Sequence, residues 1–275
     1  MQAIGSGYQN FNSYNNYPSV RNNATFGRQN MEEDNSVQNF AISAGGLGVA
    51  SLLLQRASKY LGDQLMAGKE FTSPENVKKV ADNMVKDAAL KDVLVEYIDH
   101  SNKGKFGRDM AQALEPVAQG QNAFYLDRPI LHEGKKVKLA VAPEAKPSLM
   151  LHELGHAVNS SKGKFMQFLQ KSRGWAMGIP TALLVLNGLM GKDKDGKKNF
   201  VEKNAGLIGF GAFLPTIIEE GMASLRGIKA AAKANLGKSA NLNVLKRNYA
   251  LAWGTYVLAG IGLGVAAKQS VISSN

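Results

Sequence analysis

Two histidines four residues apart enclose a glutamate in His152-Glu153-Leu154-Gly155-His156, an H-E-x-x-H pattern. On an α-helix, with about 3.6 residues per turn, His152 and His156 stack on one face about a turn apart. Both imidazoles then reach one ion at about 2.0–2.1 Å, the length of a zinc–histidine bond. Glu153 directly follows the first ligand, where its carboxylate can take a proton from water in the ion's open position. The chain holds only four histidines, His100, His132, His152 and His156, so the pattern uses half of them. The competing reading is a solvated or core histidine pair on an ordinary amphipathic helix.

A catalytic zinc site needs a third protein ligand. Cysteine is absent, so thiolate ligands and disulfides are excluded and the ligand must be His or carboxylate. A metzincin would place a third histidine six residues after His156, but that position is Lys162. An intramembrane site-2-type protease would carry the motif inside an apolar span. Here Lys162, Lys164, Lys171 and Arg173 follow the motif, and Asp193 and Asp195 lie in a polar loop. A glutamate on a second helix remains, and "TIIEEGMASLRGIKAA" at 216–231 supplies the adjacent pair Glu219 and Glu220. A carboxylate pair at a helix N-terminus is the structural alternative for these two residues.

Glu220-Gly221-Met222-Ala223-Ser224 reads E-x-x-A-S, and it follows H-E-x-x-H after two apolar segments. In this order of motifs, over roughly residues 135–230, the chain resembles the HtpX-like membrane zinc metallopeptidases, gluzincins whose downstream glutamate completes the site. The resemblance implies Zn²⁺ held by His152, His156 and Glu220, with Glu153 as the catalytic base, and Glu219 as the competing third ligand. Ser224 stands where the family has an aspartate that orients a ligand histidine. A serine can still hydrogen-bond an imidazole, but it brings no charge. His132, Arg226 and Tyr249 are candidates for stabilising an oxyanion. His100, beside Asp99, reads as a surface residue.

The elements that must hold these residues read as a mainly α fold. We expect a zincin-like pair of active-site helices, a small β-hairpin and apolar helices. Pro147 suits a first helical turn before the motif, with Leu149, Met150, Leu151, Leu154 and Val158 behind it. Ser73-Pro74 opens a helix whose Val77, Val80, Ala81, Met84 and Ala88 recur at helical spacing. Residues 122–126 and 135–142 read as short strands. The second lies just upstream of the motif, where its edge could pair with a substrate backbone.

Residues 1–38 are dense in Asn, Gln, Ser and Tyr and form an expected disordered tail. No basic start precedes an apolar core there, so no cleavable signal peptide is expected. An apolar segment at 39–55 is a possible membrane anchor. The expected metallopeptidase domain, 56–275, carries further apolar segments at 174–191, 204–218 and 248–267. A span needs about 20 residues, which suits 248–267 best and 204–218 least. Their Gly and Ala content fits tight helix packing in a bilayer.

The formal charge of +11 points to an anionic partner, and the basic residues beside apolar runs favour lipid. No nucleic-acid motif is present, and no nucleic-acid partner is expected. Ten Lys and Arg lie at 162–173, 226–238 and 246–247, beside the motif helices, against five in the loop 192–203. The positive-inside rule then places the metal site on the cytoplasmic face of a multi-pass protein. The expected function is a membrane-associated zinc endopeptidase acting on a protein or peptide substrate. A soluble gluzincin and a non-catalytic membrane scaffold with a degenerate motif are the alternatives.

Overall fold

The computed structural model describes residues 46–172, 175–191 and 198–272. The expected tail at 1–38, residues 39–45 of the first apolar segment and much of the loop 192–203 lie outside the described residues. The rest is mainly helical around a small three-stranded sheet. In order the elements are α1 (Gly46–Met66), α2 (Pro74–Asp87), β1 (Val93–Ile98), α3 (Arg108–Ala118), β2 (Phe124–His132) and β3 (Lys135–Pro143). There follow α4 (Leu149–Ser161), α5 (Lys164–Ser172), α6 (Ile179–Met190), α7 (Phe200–Lys233) and α8 (Leu242–Ile272).

Helix α2 starts as its cap-then-proline signal requires, with the Ser73 hydroxyl accepting from the Asn76 N–H. Val77, Val80, Ala81 and Met84 form its buried stripe. The expected hairpin exists as β2 and β3, but it belongs to a larger sheet ordered β1-β3-β2. Strand β1 pairs parallel with β3, Val95 opposite Ala140, so β3 is central and its edges are both occupied. The expected substrate edge therefore passes to β2, an outer strand. Pro129 lies at the register shift between Leu126 and Ile130, a place where a missing N–H is tolerated.

The apolar segments resolve differently from the expectation. Segment 174–191 yields α6, only 12 residues or about 18 Å long. Segment 204–218 is not a separate span. It is the first half of the 34-residue α7, which continues through Glu219 and Glu220 to Lys233. Segment 248–267 lies within α8, and the first segment enters α1 at Gly46. Among the described residues one stretch, Gly237–Ile272, is long and apolar enough to cross a membrane. Only 28% of its most apolar window is buried within the protein, against the high burial expected of a soluble core helix.

Helices α7 and α8 run antiparallel in close contact. A Cβ at Gly264 would sit 2.7 Å from the Gly206 carbonyl oxygen, so the two backbones meet there only because no side chain intervenes. At the far end Leu183 of α6 packs with Val201, Ala205, Ala267 and Val271. At the near end α2, α4, α7 and α8 enclose the main core, including Met150, Leu151, Leu154, Ala231, Leu245 and Tyr249.

Candidate metal centre

Helix α4 is buried on every side from Met150 to Ser160, rather than along one stripe as an amphipathic helix would be. It crosses α7 at very short range. A Cβ on Gly155 would lie 2.3 Å from the Ala223 carbonyl oxygen, so no larger residue fits without separating the helices. One turn along, Gly227 meets the Leu151 carbonyl in the same way, with its Cβ position 2.9 Å away. On α7 the buried positions include Thr216, Glu220, Ala223, Gly227 and Ala231, the helical stripe that faces inward. The close crossing is what brings Glu220 to the motif histidines.

His152 Nε2 lies 3.0 Å from His156 Nε2 and 3.1 Å from Glu220 Oε2. His156 Nε2 is 3.6 Å from the same carboxylate oxygen. Donor atoms about 2.0–2.1 Å from a tetrahedral zinc stand about 3.3 Å apart, so this triangle fits one ion. His152, His156 and Glu220 can therefore hold a metal, as buried residues with converging donors. Charge supports the fit. Glu219 and Glu220 are both fully buried and Glu153 is 6% exposed. Buried carboxylates need cationic partners or a metal, because desolvating an unpaired charge is costly.

The opposite ring nitrogens have separate partners. His152 Nδ1 lies 3.1 Å from Ser224 Oγ, and His156 Nδ1 lies 2.8 Å from Glu219 Oε1. In the tautomer where each Nδ1–H donates to its oxygen, each Nε2 lone pair is left for a metal at the shared point. Glu219 Oε1 also accepts from Asn159 Nδ2 at 3.0 Å and Gln170 Nε2 at 3.2 Å. Arg226 Nε in turn donates to Asn159 Oδ1 at 2.5 Å. Burial pulls the Arg226 guanidinium below its ordinary value, and the Glu219 charge opposes that shift. Glu219 thus sits behind His156 rather than at the ligand triangle. Neither acidic residue marks a helix N-terminus, since both lie in the interior of α7.

A cleft opens on the ligand side, lined by Glu153, His152, His156, Glu220, Tyr249, Ala123 and the first residues of β2, Phe124 and Tyr125. Glu70 also lines it and braces the start of α4, accepting from the Ser148 hydroxyl at 3.0 Å and the Ser148 N–H at 3.2 Å. Burial raises the Glu70 carboxyl above its usual value, against the Ser148 hydrogen bonds and the Lys146 charge. Of the three oxyanion candidates only Tyr249 lines the cleft. The Tyr249 hydroxyl donates to the Ser148 carbonyl at 2.6 Å, and Arg226 is engaged with Asn159. His132, at the far end of β2, does not line the cleft. His100 is exposed, as expected.

Asn159, Gln170 and Glu70 escaped the sequence reading. Asn159 stands three residues after His156 and seven after His152, so helical spacing alone could have placed it on the ligand face. Gln170 and Glu70 arrive from other elements and carry no such signal. Among known proteins, no family model, no curated protein and no solved structure matches the chain.

Proposed function

We propose that this chain is a membrane-associated zinc metalloendopeptidase of the gluzincin type, similar to the HtpX-like membrane peptidases. The reading is carried by the three donor atoms of His152, His156 and Glu220, 3.0–3.6 Å apart, with Glu153 on the same cleft. Zinc bound there would supply Lewis acidity, making water nucleophilic near neutral pH and polarising a peptide carbonyl. Glu153 takes the proton from the attacking water and passes it to the leaving amine nitrogen. Ser224 and Glu219 hold the two imidazoles in the tautomer that offers Nε2 to the metal. An extended peptide entering the cleft would run past Ala123, Phe124 and Tyr125, where β2 offers its outer backbone edge for pairing. We read α8 as the membrane span, with α6 and the first half of α7 as shorter apolar partners beside it. The excess of Lys and Arg near the metal helices favours a cytoplasmic site.

The test is purification followed by metal analysis and cleavage of an unfolded test protein in detergent. The proposal requires about one zinc per chain, loss of that zinc in His152→Ala and His156→Ala, and cleavage by wild type. Zinc unchanged in both variants contradicts the site, and zinc-loaded protein that cleaves no peptide bond contradicts the enzyme.

A further inference from the structure

Helix α5 carries two chemistries on two faces. Met166, Leu169 and Ser172 are buried against the protein. Phe165 and Phe168, beside that buried stripe, are 67% and 50% exposed, and Trp175 just beyond the helix is 66% exposed. The Phe168 and Trp175 rings stand 6.1 Å apart, edge to face. Lys164 and Lys171 lie four before and three after Phe168, so both neighbour its ring on the exposed surface of the helix. Lys162 is also exposed, and no Asp or Glu occurs anywhere between Glu153 and Asp193.

We infer that this face of α5, with Trp175, is an interfacial docking surface for an anionic bilayer. Aromatic side chains favour the headgroup level, where a ring can be apolar on one side and wet on the other. Lysines beside them meet lipid phosphates, and an anionic leaflet attracts them. A short amphipathic helix with aromatics on one face and basic residues around them has the pattern of an in-plane membrane helix. Continuity selects lipid over a protein partner. The chain passes from Trp175 into α6, whose Val185, Leu186, Leu189 and Met190 are exposed without a single charge in that helix. This inference rests on the membrane reading above and adds the surface and the lipid class.

The inner face of α5 touches the metal centre. Gln170 Nε2 donates to the His156 carbonyl at 2.9 Å and to Glu219 at 3.2 Å. The lipid surface therefore lies one helix thickness, about 10 Å, from the candidate metal site. A substrate would be met at the level of the headgroups, as a segment emerging from the bilayer rather than one within it.

The experiment uses the full chain reconstituted in vesicles. The protein has two tryptophans, so Trp253→Phe leaves Trp175 as the only reporter. Vesicles of phosphatidylcholine with or without phosphatidylglycerol carry bromine on the acyl chain, either near the headgroup or near the bilayer centre. Shallow bromines should remove most of the Trp175 emission, more so in anionic vesicles, while deep bromines remove little. Lys164→Glu with Lys171→Glu should abolish the advantage of the anionic lipid. Unquenched Trp175 in vesicles that carry the protein overturns the inference. So does shielding that appears only as protein density rises, the mark of a second copy. Flotation of the same vesicles reads the membrane reading separately: protein left in the aqueous fraction overturns both.

Discussion

The two halves of α7 invert each other. From Phe200 to Ile218 the helix turns large apolar side chains outward, with Leu207 at 73% and Ile218 at 46% exposure. Its inner side combines small contacts such as Gly206 against Gly264 with the buried Val201, Phe213 and Ile217. From Glu219 to Lys233 it buries Glu219, Glu220 and Ser224 completely or nearly so and turns Lys229 and Lys233 toward solvent. A soluble helix buries its apolar residues and exposes its polar ones. The first half departs from that rule as the proposed lipid contact would allow, and the second departs from it with carboxylates that could hold a metal. One continuous helix thus joins an apolar bundle to a buried polar site, and its neighbours decide which rule applies at each turn.

The sharpest way to break the site half is to push its helices apart. Gly155→Val places branched carbons against the Ala223 carbonyl, and overpacking of this kind costs about 1–3 kcal/mol or more. We expect loss of zinc binding even if the chain folds, measured as metal content of the purified protein. Zinc retained at full stoichiometry would mean that the close crossing is not needed.

The next test separates the two supports of the histidines. Glu219→Gln removes a charge that accepts from His156, Asn159 and Gln170, and outer partners of this kind typically contribute 10–100-fold in metal affinity. Ser224→Ala removes a single neutral hydrogen bond to His152, and its effect should fall at or below the lower end of that range. Competition with a chelator measures both. A larger effect at Ser224 than at Glu219 would reverse the ranking.

In the apolar half, Leu214→Lys and Leu207→Lys place charge on an exposed face and should cost a protein domain in water almost nothing. Facing lipid, each should cost about 2.5–3.5 kcal/mol, seen as reduced membrane insertion and reduced yield. Unchanged insertion would return this half to an aqueous surface.

The smallest effect concerns Glu70 and pH. Its folded-state pKa is raised by burial, so the group favours folding most when protonated. That contribution is complete below the ordinary carboxylate value and is lost as pH rises through the raised one. Glu70→Gln should therefore gain thermal stability relative to wild type as pH rises across the acid range. A constant difference would show that Glu70 titrates as an ordinary surface carboxylate.

Much of the site was legible because H-E-x-x-H and E-x-x-A-S are local spacings, and a helix converts local spacing into a shared face. His152, His156, Glu220 and Ser224 meet as those spacings imply. The exchange between Glu219 and Glu220 was harder. They are adjacent, and which one faces the ligand triangle depends on how α7 is rotated against α4, which Gly155 and Gly227 set. Strand β1 was missed because "VLVEYI" is a short apolar run whose type is decided by its parallel pairing with β3, some 45 residues away in register, Val93 with Lys138. The apolar segments were cut at their charges and glycines, whereas α7 runs through Pro215 and the acidic pair without a break. Tertiary packing on α8 and α4 carries it across.

The most direct test of the central claim compares Glu153→Gln with Glu220→Gln in one preparation, reading zinc content and peptide-bond cleavage together. The account predicts that Glu153→Gln keeps its zinc while cleavage falls by roughly 10²-fold or more, the scale of losing a general base. Glu220→Gln should lose zinc and cleavage together. Full zinc in Glu220→Gln, or undiminished cleavage in Glu153→Gln, would contradict it.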